Sequence, residues 1–311
     1  MSKEFSNRLR RGQLIVIGGP TASGKTGFAI KLARRIGCSI VSADSRQFYR
    51  ELPVGSAQPT EEELAAIRHY LVADRSVTEP LSAGRYAEEA KQLLRQLFLK
   101  NKIQIITGGS GLFISALTEG LDDFPPVTSA AETQVGNWFA EGGAGRLFEE
   151  LQQRDPDYAA TVDPTNHRRL ERALRVTLSA GRPYSSFLGQ REAPDFDVHY
   201  FRLDPPRAEL YGRINRRVDT MLAAGLEDEA RGLQHLRHLR SLQTVGYQEW
   251  WPYFDGEYDR DRAVELIKRN SRRYAKRQVT WFGRGDKYRT VSSPEDVLAY
   301  LTALPEGGAA E

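Results

Sequence analysis

A glycine-rich octet near the N-terminus constrains this chain more than any other feature. Residues 19–26 read Gly-Pro-Thr-Ala-Ser-Gly-Lys-Thr and match the pattern G-x-x-x-x-G-K-[ST]. An apolar run at 13–18 precedes the octet and an amphipathic pattern at 27–35 follows it, which is the strand, loop and helix order of a P-loop. Backbone N–H groups and the helix N-terminus would surround an anion, Lys25 would add a positive charge, and Thr26 could hold Mg²⁺. The octet therefore predicts a polyphosphate site.

Composition excludes several classes of protein. The 311 residues are 40% hydrophobic and 27% charged, as in globular proteins. No apolar run approaches the roughly 20 residues that cross a bilayer, and the charged segment 1–11 lacks the apolar stretch of a secretion signal. We therefore expect a cytoplasmic protein without a membrane role. Cys38 is the only cysteine, which excludes an intramolecular disulfide and a cysteine-based zinc module.

Strand and helix patterns alternate over the first 120 residues and again near the C-terminus. Further strand patterns lie at 39–43, 103–107, 198–203 and 288–291. Further helical patterns lie at 83–100, 210–222, 226–239, 261–282 and 294–304. This alternation predicts an α/β fold with a P-loop parallel sheet core flanked by helices.

The pattern changes past Gly120, where the sheet pattern is interrupted. Three helical patterns follow, at 130–140, 145–154 and 166–179. They predict a mainly helical inserted domain between two elements of the sheet. The expected division is a discontinuous core at 12–120 and 196–304, an insertion at 121–195 and a disordered tail at 305–311.

Asp44 is the acidic residue best placed to take part in chemistry beside the P-loop. It follows the strand pattern at 39–43, and function tends to lie at such strand ends. The strand at 103–107 runs instead into Gly108–Gly111 without the carboxylate that P-loop NTPases usually carry. Asp44 could ligate a metal ion or accept a proton from an acceptor substrate. It could also simply cap the end of its strand.

Six sequence blocks, taken in order, resemble those of bacterial tRNA dimethylallyltransferases, also called tRNA isopentenyltransferases. The similarity extends from about Gln13 to Arg284. The blocks are residues 19–26, 42–49 (Ser-Ala-Asp-Ser-Arg-Gln-Phe-Tyr), 108–113 (Gly-Gly-Ser-Gly-Leu-Phe), 169–174 (Arg-Leu-Glu-Arg-Ala-Leu), 245–247 (Val-Gly-Tyr) and 276–282 (Lys-Arg-Gln-Val-Thr-Trp-Phe).

The resemblance implies that the P-loop holds the diphosphate of dimethylallyl diphosphate and that the prenyl group passes to N6 of adenosine 37 beside the tRNA anticodon. Mg²⁺ at Thr26 would help to stabilise the leaving diphosphate. Asp44 matches the family's base for the adenine amine, and Thr21 and Ser110 match positions that line the reaction channel. The implied donor-binding residues are Gly19, Pro20, Thr21, Ala22, Ser23, Gly24, Lys25 and Thr26.

The implied partner is the anticodon stem-loop of tRNA, whose adenine has to leave its stack before it can react. Basic and aromatic residues of the long helical pattern suit RNA, since cations follow phosphates and aromatic rings stack on bases. A solvated helix face is the alternative interpretation. A monomer is expected. The implied tRNA-binding residues are Asp44, Ser45, Arg46, Gln47, Arg168, Arg169, Arg172, Gly246, Tyr247, Arg273, Lys276, Arg277 and Gln278.

The sequence departs from the family pattern where an arginine is thought to help bind diphosphate. Residues 128–141 contain no Arg or Lys, so either Arg146 or another residue replaces it or catalysis is weakened. Two other functions stay open at this point. A nucleoside or small-molecule kinase could use the same loop with Asp44 as base, and a non-catalytic RNA-binding protein could retain a vestigial P-loop. A comparison of the binding isotherms for ATP and for dimethylallyl diphosphate tests the first alternative. Single-turnover prenyl transfer tests the second.

Overall fold

The chain forms a six-stranded sheet in which every pairing is parallel. The computed structural model describes residues 11–191 and 193–304, so the predicted tail at 305–311 lies outside the described residues. The strand order is β3-β2-β4-β1-β5-β6. The strands are β1 (Gln13–Gly18), β2 (Ile40–Ser42), β3 (His69–Tyr70), β4 (Ile103–Gly108), β5 (Asp197–Arg202) and β6 (Arg289–Thr290).

Helices connect the strands and cover both faces of the sheet, which confirms the predicted α/β fold class with a parallel core. The α-helices are α1 (Lys25–Ile36), α2 (Glu61–Ala66), α3 (Ala83–Lys100), α4 (Gly111–Glu119), α5 (Ser129–Arg154), α6 (Pro156–Ala159), α7 (His167–Ala180), α8 (Arg207–Ala223), α9 (Leu226–Gly232), α10 (Trp250–Phe254), α11 (Arg260–Phe282) and α12 (Pro294–Thr302).

The central strand β1 is buried on both faces. Leu14 and Val16 belong to one hydrophobic cluster, which they share with residues of α3 and α4. Ile15 and Ile17 belong to a second cluster, with residues of α1 and α12. A parallel strand covered by helices on both sides has to be apolar at every position, and this explains the continuous apolar run in the sequence.

The register of the sheet brings the ends of its central strands level with one another. Gly18, the last residue of β1, pairs with Gly108 of β4 and Arg202 of β5. Ser42, the last residue of β2, pairs with Thr107 of β4. Parallel α/β sheets bind ligands at the carboxyl ends of their strands. The loops that follow β1, β2 and β4 therefore meet at the edge of the sheet where a site is expected.

The chain divides into two compact units, with boundaries after Thr118 and before Pro194. The unit formed by 119–193 is helical and has its own core, in which Trp138, Leu147 and Leu170 are buried. Its helix α5 is kinked, because Gly142 and Gly143 have non-helical backbone angles. This kink falls between the two separate helical patterns predicted at 130–140 and 145–154. None of the described helices is both long and apolar enough to cross a bilayer.

Several short elements differ from the sequence patterns. The helix predicted at 226–239 is wrong beyond Gly232, where the short 3-10 helices 234–236 and 240–242 follow. Glycine is a poor helix former, which favours an end at this point. Helix α2 was not predicted, although Thr60 and Glu63 form the reciprocal capping box that marks its start. Strand β3 and helices α6 and α10 were also missed, because elements of two to five residues show too little periodicity.

Candidate active site

A cavity of about 410 Å³ lies at the carboxyl edge of the sheet, within the unit that contains the P-loop. The P-loop residues 21–26 form one wall, and Asp44 and Arg46 enter from the loop after β2. Helix α8 contributes Arg213 and Arg217. Cations and the carboxylates of Asp44 and Glu63 therefore share one concave site, as expected where a charged ligand is bound and a proton is moved.

The P-loop is shaped to hold an anion. Ala22 and Gly24 have left-handed backbone angles, with φ of 60° and 92°, which turn the loop around the start of α1. No side chain caps the N-terminus of α1, so its first N–H groups remain available to a ligand. The hydroxyl of Ser23 is buried and has no hydrogen-bond partner among the described residues. Because buried hydroxyls are normally paired, this group indicates a place for a ligand.

Lys25 is folded back onto its own loop. Its Nζ donates a hydrogen bond to the Pro20 carbonyl at 2.6 Å. Burial lowers the pKa of Lys25 to about 7; Asp44 opposes this change, and the nearby Arg217 adds to it. A bound polyanion would favour the charged ammonium and raise its pKa again. Lys25 is thus arranged to gain a proton when an anion binds.

Hydrogen bonds within the loop after β2 hold Asp44 at the cavity. The Asp44 N–H donates to Ser42 Oγ at 3.3 Å, and Asp44 Oδ1 accepts from the Arg46 N–H at 3.1 Å. Ser110 Oγ accepts from the Ser45 N–H at 3.0 Å. The two predicted residues Asp44 and Ser110 are therefore adjacent, and Ser110 has a structural role in addition to any contact with substrate.

Gln278 of α11 joins the P-loop to the loop after β4. Its Oε1 accepts from the Thr21 N–H at 2.8 Å and its Nε2 donates to the Gly109 carbonyl at 2.9 Å. A Cβ at Gly109 would lie 2.2 Å from Gln278 Nε2, and one at Gly111 would lie 2.0 Å from Trp281 Nε1. A side chain at Gly111 would meet the Trp281 ring, and one at Gly109 would displace Gln278 from its two hydrogen bonds, so glycine at these two positions permits the close approach of α11.

Two cavity arginines were missed by the sequence reasoning. Arg213 Nη1 donates to the Ser23 carbonyl at 3.4 Å. Burial lowers the pKa of Arg217, whereas Asp44 raises it. The available signal was their spacing of four residues, which places both on the same face of α8. Arg146, the other candidate for the missing cation, is instead paired with carboxylates of its own unit, including Glu150 at 2.5 Å.

The residues assigned to tRNA binding fall into three groups by exposure. Asp44, Ser45, Arg46 and Gln47 are half-buried at the cavity. Gly246, Tyr247 and Gln278 are buried. The exposed group consists of Arg168, Arg169 and Arg172 in the helical unit and Arg273, Lys276 and Arg277 on α11. Only the exposed group presents cations to solvent along helices, where they could follow a phosphate backbone.

The structure corrects the assignment of Tyr247 and Gln278. The Tyr247 side chain is fully buried, and its hydroxyl donates to Glu229 Oε1 at 2.5 Å. The same carboxylate accepts from the Val54 and Gly55 N–H groups, both at 2.8 Å. Through Glu229, Tyr247 thus supports the chain at Gly55, which lines the cavity, and Gln278 holds the P-loop. Both side chains are occupied inside the protein, so neither is placed to contact RNA directly.

Arg46 and Tyr274 form part of the same cavity. The Arg46 guanidinium lies 5.0 Å from the centre of the Tyr274 ring and donates to the Val245 carbonyl at 2.8 Å. Burial raises the pKa of Tyr274, which therefore stays a neutral hydrogen-bonding group. The arginine stacks on one aromatic face and is held by a carbonyl, so its charge is fixed in position beside Asp44.

Comparison with known proteins identifies the family. The family model described as IPP transferase matches residues 47–285. A tRNA dimethylallyltransferase 1 from Bacteroides thetaiotaomicron is 42% identical over 93% of this chain and 94% of its own length. A tRNA dimethylallyltransferase from Cytophaga hutchinsonii is 44% identical over 87% of this chain and 90% of its own.

A solved structure agrees with these relatives. The full-length tRNA isopentenylpyrophosphate transferase from Bacillus halodurans matches with a TM-score of 0.67 and 32% identity, over 94% of this chain and 95% of its own. The similarity covers nearly the whole length of each protein, so the shared features are not limited to the P-loop. The resemblance inferred from six sequence blocks is confirmed: the chain belongs to the IPP transferase family, together with these tRNA-modifying prenyltransferases.

Proposed function

We propose that this chain transfers the dimethylallyl group of dimethylallyl diphosphate to N6 of adenosine 37 in tRNA and releases diphosphate. The observation that carries the proposal is one cavity lined by a P-loop, by Lys25 and Arg217, and by the carboxylate of Asp44. The cations suit a diphosphate leaving group, and the carboxylate suits an acceptor that loses a proton.

The anion cradle accounts for donor binding. The free N–H groups at the start of α1 and the unpartnered Ser23 hydroxyl would receive phosphate oxygens. Lys25 and Arg217 would neutralise the charge that develops as the diphosphate departs. Arg217 takes the place of the arginine that residues 128–141 lack.

The residues present fit a Mg²⁺ ion shared with the donor. Thr26 lines the cavity and offers a hydroxyl oxygen, which Mg²⁺ would bind together with substrate phosphates and water. Among the described residues, no group of three or more His, Cys, Asp or Glu side chains could hold a metal without the substrate. The ion would supply further charge stabilisation to the leaving diphosphate.

The transfer step forms one bond and breaks one. The adenine N6 attacks C1 of the dimethylallyl group while the C1–O bond breaks, and its electron pair stays on the diphosphate. The proton lost by N6 passes to the Asp44 carboxylate and then to water. Thr21 lines the same cavity and would lie beside the path from donor to acceptor.

The exposed cations would bind the anticodon stem-loop. Arg273, Lys276 and Arg277 lie on α11, the helix that supplies Gln278 to the P-loop. Arg168, Arg169 and Arg172 lie on α7 in the helical unit. We expect both groups to contact tRNA phosphates. We also expect the enzyme to be a monomer, and light scattering at micromolar concentration would test this oligomeric state.

Nucleoside analysis tests the proposed function directly. Unmodified tRNA is incubated with the protein, dimethylallyl diphosphate and Mg²⁺, digested, and examined by mass spectrometry. The expected product is adenosine heavier by one dimethylallyl group, absent when the tRNA carries guanosine at position 37. Parallel calorimetry is expected to show stronger binding of dimethylallyl diphosphate than of ATP. ATP-dependent phosphorylation of a nucleoside without prenyl transfer would refute the proposal in favour of a kinase.

A further inference from the structure

We propose that Met221 limits the length of the prenyl chain that the donor site accepts. The inference rests on the proposed function and goes beyond it by assigning donor selectivity to one side chain. It follows from the residues on the face of α8 that lines the cavity and from the direction of α8, which leads away from the P-loop towards Met221.

Helix α8 presents two parallel stripes to the cavity. Arg213 and Arg217, four residues apart, form a cationic stripe. Ile214, Val218 and Met221 form an apolar stripe at the helical spacing i, i+4, i+7. A ligand with a charged head and a short hydrocarbon tail matches both stripes at once.

The two ends of the face differ. Arg213 donates to the Ser23 carbonyl, so the first turns of α8 lie against the phosphate-binding loop. Arg217 interacts electrostatically with Asp44, the acceptor's base, one turn later. Met221 follows eight residues after Arg213, or about 12 Å along the helix axis. A donor whose diphosphate is fixed at the P-loop would therefore extend its tail towards Met221.

Of the apolar side chains of α8 that line the cavity, Met221 is the one whose packing leaves it free to change conformation. Val218 is 3% exposed and Ile267, which also lines the cavity, is 1% exposed, so both are fixed in the surrounding core. Met221 is only half-buried and packs against the same hydrophobic cluster. Its neighbour Leu222 packs against that cluster as well but does not line the cavity. Leu222 is therefore a matched control.

The test compares a five-carbon donor, dimethylallyl diphosphate, with a ten-carbon donor, geranyl diphosphate. The ratio of kcat/KM for the longer donor to that for the shorter one is measured in Met221→Ala, Met221→Leu and Leu222→Ala. We expect Met221→Ala to raise this ratio by at least about tenfold, since pockets discriminate single methylenes by that order. Met221→Leu keeps the volume, so its ratio and that of Leu222→Ala are expected within about twofold of the original.

Three results would overturn the inference: an unchanged ratio in Met221→Ala, an equal rise in Leu222→Ala, or an effect confined to the KM for tRNA. Calorimetric binding of the two diphosphates to the same variants gives a second measure of the length limit. That measure decides the role of Met221 even if no transfer occurs. Failure of the unaltered protein to transfer the five-carbon group is a different result, which refutes the proposed function.

Discussion

Gln278 accepts a 2.8 Å hydrogen bond from the backbone of Thr21, although the two residues are 257 positions apart in the chain. The same side chain donates to Gly109. Helix α11 also carries the exposed Arg273 and Arg277. The helix proposed to contact RNA is therefore joined, through one buried amide, to the loop proposed to hold the donor.

Replacing Gln278 with Met should impair catalysis and also destabilise the two loops that this side chain joins. The side chain keeps its length but leaves the Thr21 N–H and the Gly109 carbonyl without partners, a loss of about 1–3 kcal/mol per group. We expect kcat/KM to fall by about 10- to 100-fold, measured by single-turnover prenyl transfer. Gln248→Met is the control, because the Gln248 side chain donates to Glu249 and does not line the cavity. Equal activity of the two variants would show that the bridge has no functional role.

Replacement of Lys25 or of Asp44 by Ala should lower activity in two different ways. Lys25 is assigned to the leaving group, so its loss should weaken donor binding and transfer together. Asp44 is assigned to the acceptor, so its loss should lower transfer by about 10²-fold or more with donor affinity near that of the original. Calorimetry and rapid-quench kinetics measure the two quantities. An Asp44→Ala variant that transfers at the normal rate would remove its assigned role.

Above pH 7, the protein should take up a proton at Lys25 when the donor binds. The pKa of Lys25 in the empty site is about 7, so the amine is mostly neutral at pH 8. A bound diphosphate raises that pKa, and the complex then holds a proton that the free protein lacks. Affinity should therefore decrease as the pH rises from 7 to 9. Calorimetry at pH 8 in buffers of different ionisation enthalpy measures the uptake, which Lys25→Met is expected to abolish.

Arg217→Ala should weaken donor binding by about 10- to 100-fold, as expected for a lost charge-assisted hydrogen bond. The control is Arg216→Ala, because Arg216 is the exposed neighbour on the same helix and does not line the cavity. Titration with dimethylallyl diphosphate compares the two. If both variants bind the donor equally well, the cation that replaces the missing family arginine lies elsewhere.

Reversal of Arg273 and Arg277 to Glu should raise the Kd for tRNA and reduce the dependence of binding on salt. Each lost phosphate contact lowers the slope of log K against log salt by about 0.9 or less. Donor binding should barely change, since both residues are exposed and neither lines the donor cavity. Filter binding at several salt concentrations measures this effect. An unaltered slope would identify this part of α11 as an ordinary solvated surface.

The sequence was sufficient for those features that depend on local pattern. Strand β1 and helix α3 have the predicted bounds, because an apolar run and a long amphipathic repeat are visible without tertiary information. The P-loop and Asp44 could also be predicted, because each directly follows a strand pattern. The ends of parallel strands meet at one edge of the sheet. These residues lie close to the elements that position them.

The parts of the site that escaped prediction depend on contacts between distant segments. Arg217 enters the cavity only because α8 packs beside the P-loop, and its sequence neighbours do not show this. Tyr247 and Gln278 belong to family blocks that suggested RNA contact, yet both are buried and occupied by internal hydrogen bonds. A motif identifies a residue as important but does not show which partner it meets.

The strand pairing also determines the order in which the nascent chain can complete its core. β1 pairs with β5, and Gln13 is in register with Asp197, so one edge of the first strand lacks its partner until Asp197, 184 residues later, has been synthesised. The helical unit at 119–193 is complete by then, and its core packs α5 against α7, which are much closer in sequence than β1 and β5. Such contacts form faster than long-range strand pairing. Translation therefore delivers the insertion before the P-loop sheet can close, and the apolar strand β1 stays open to wrong pairing during that interval.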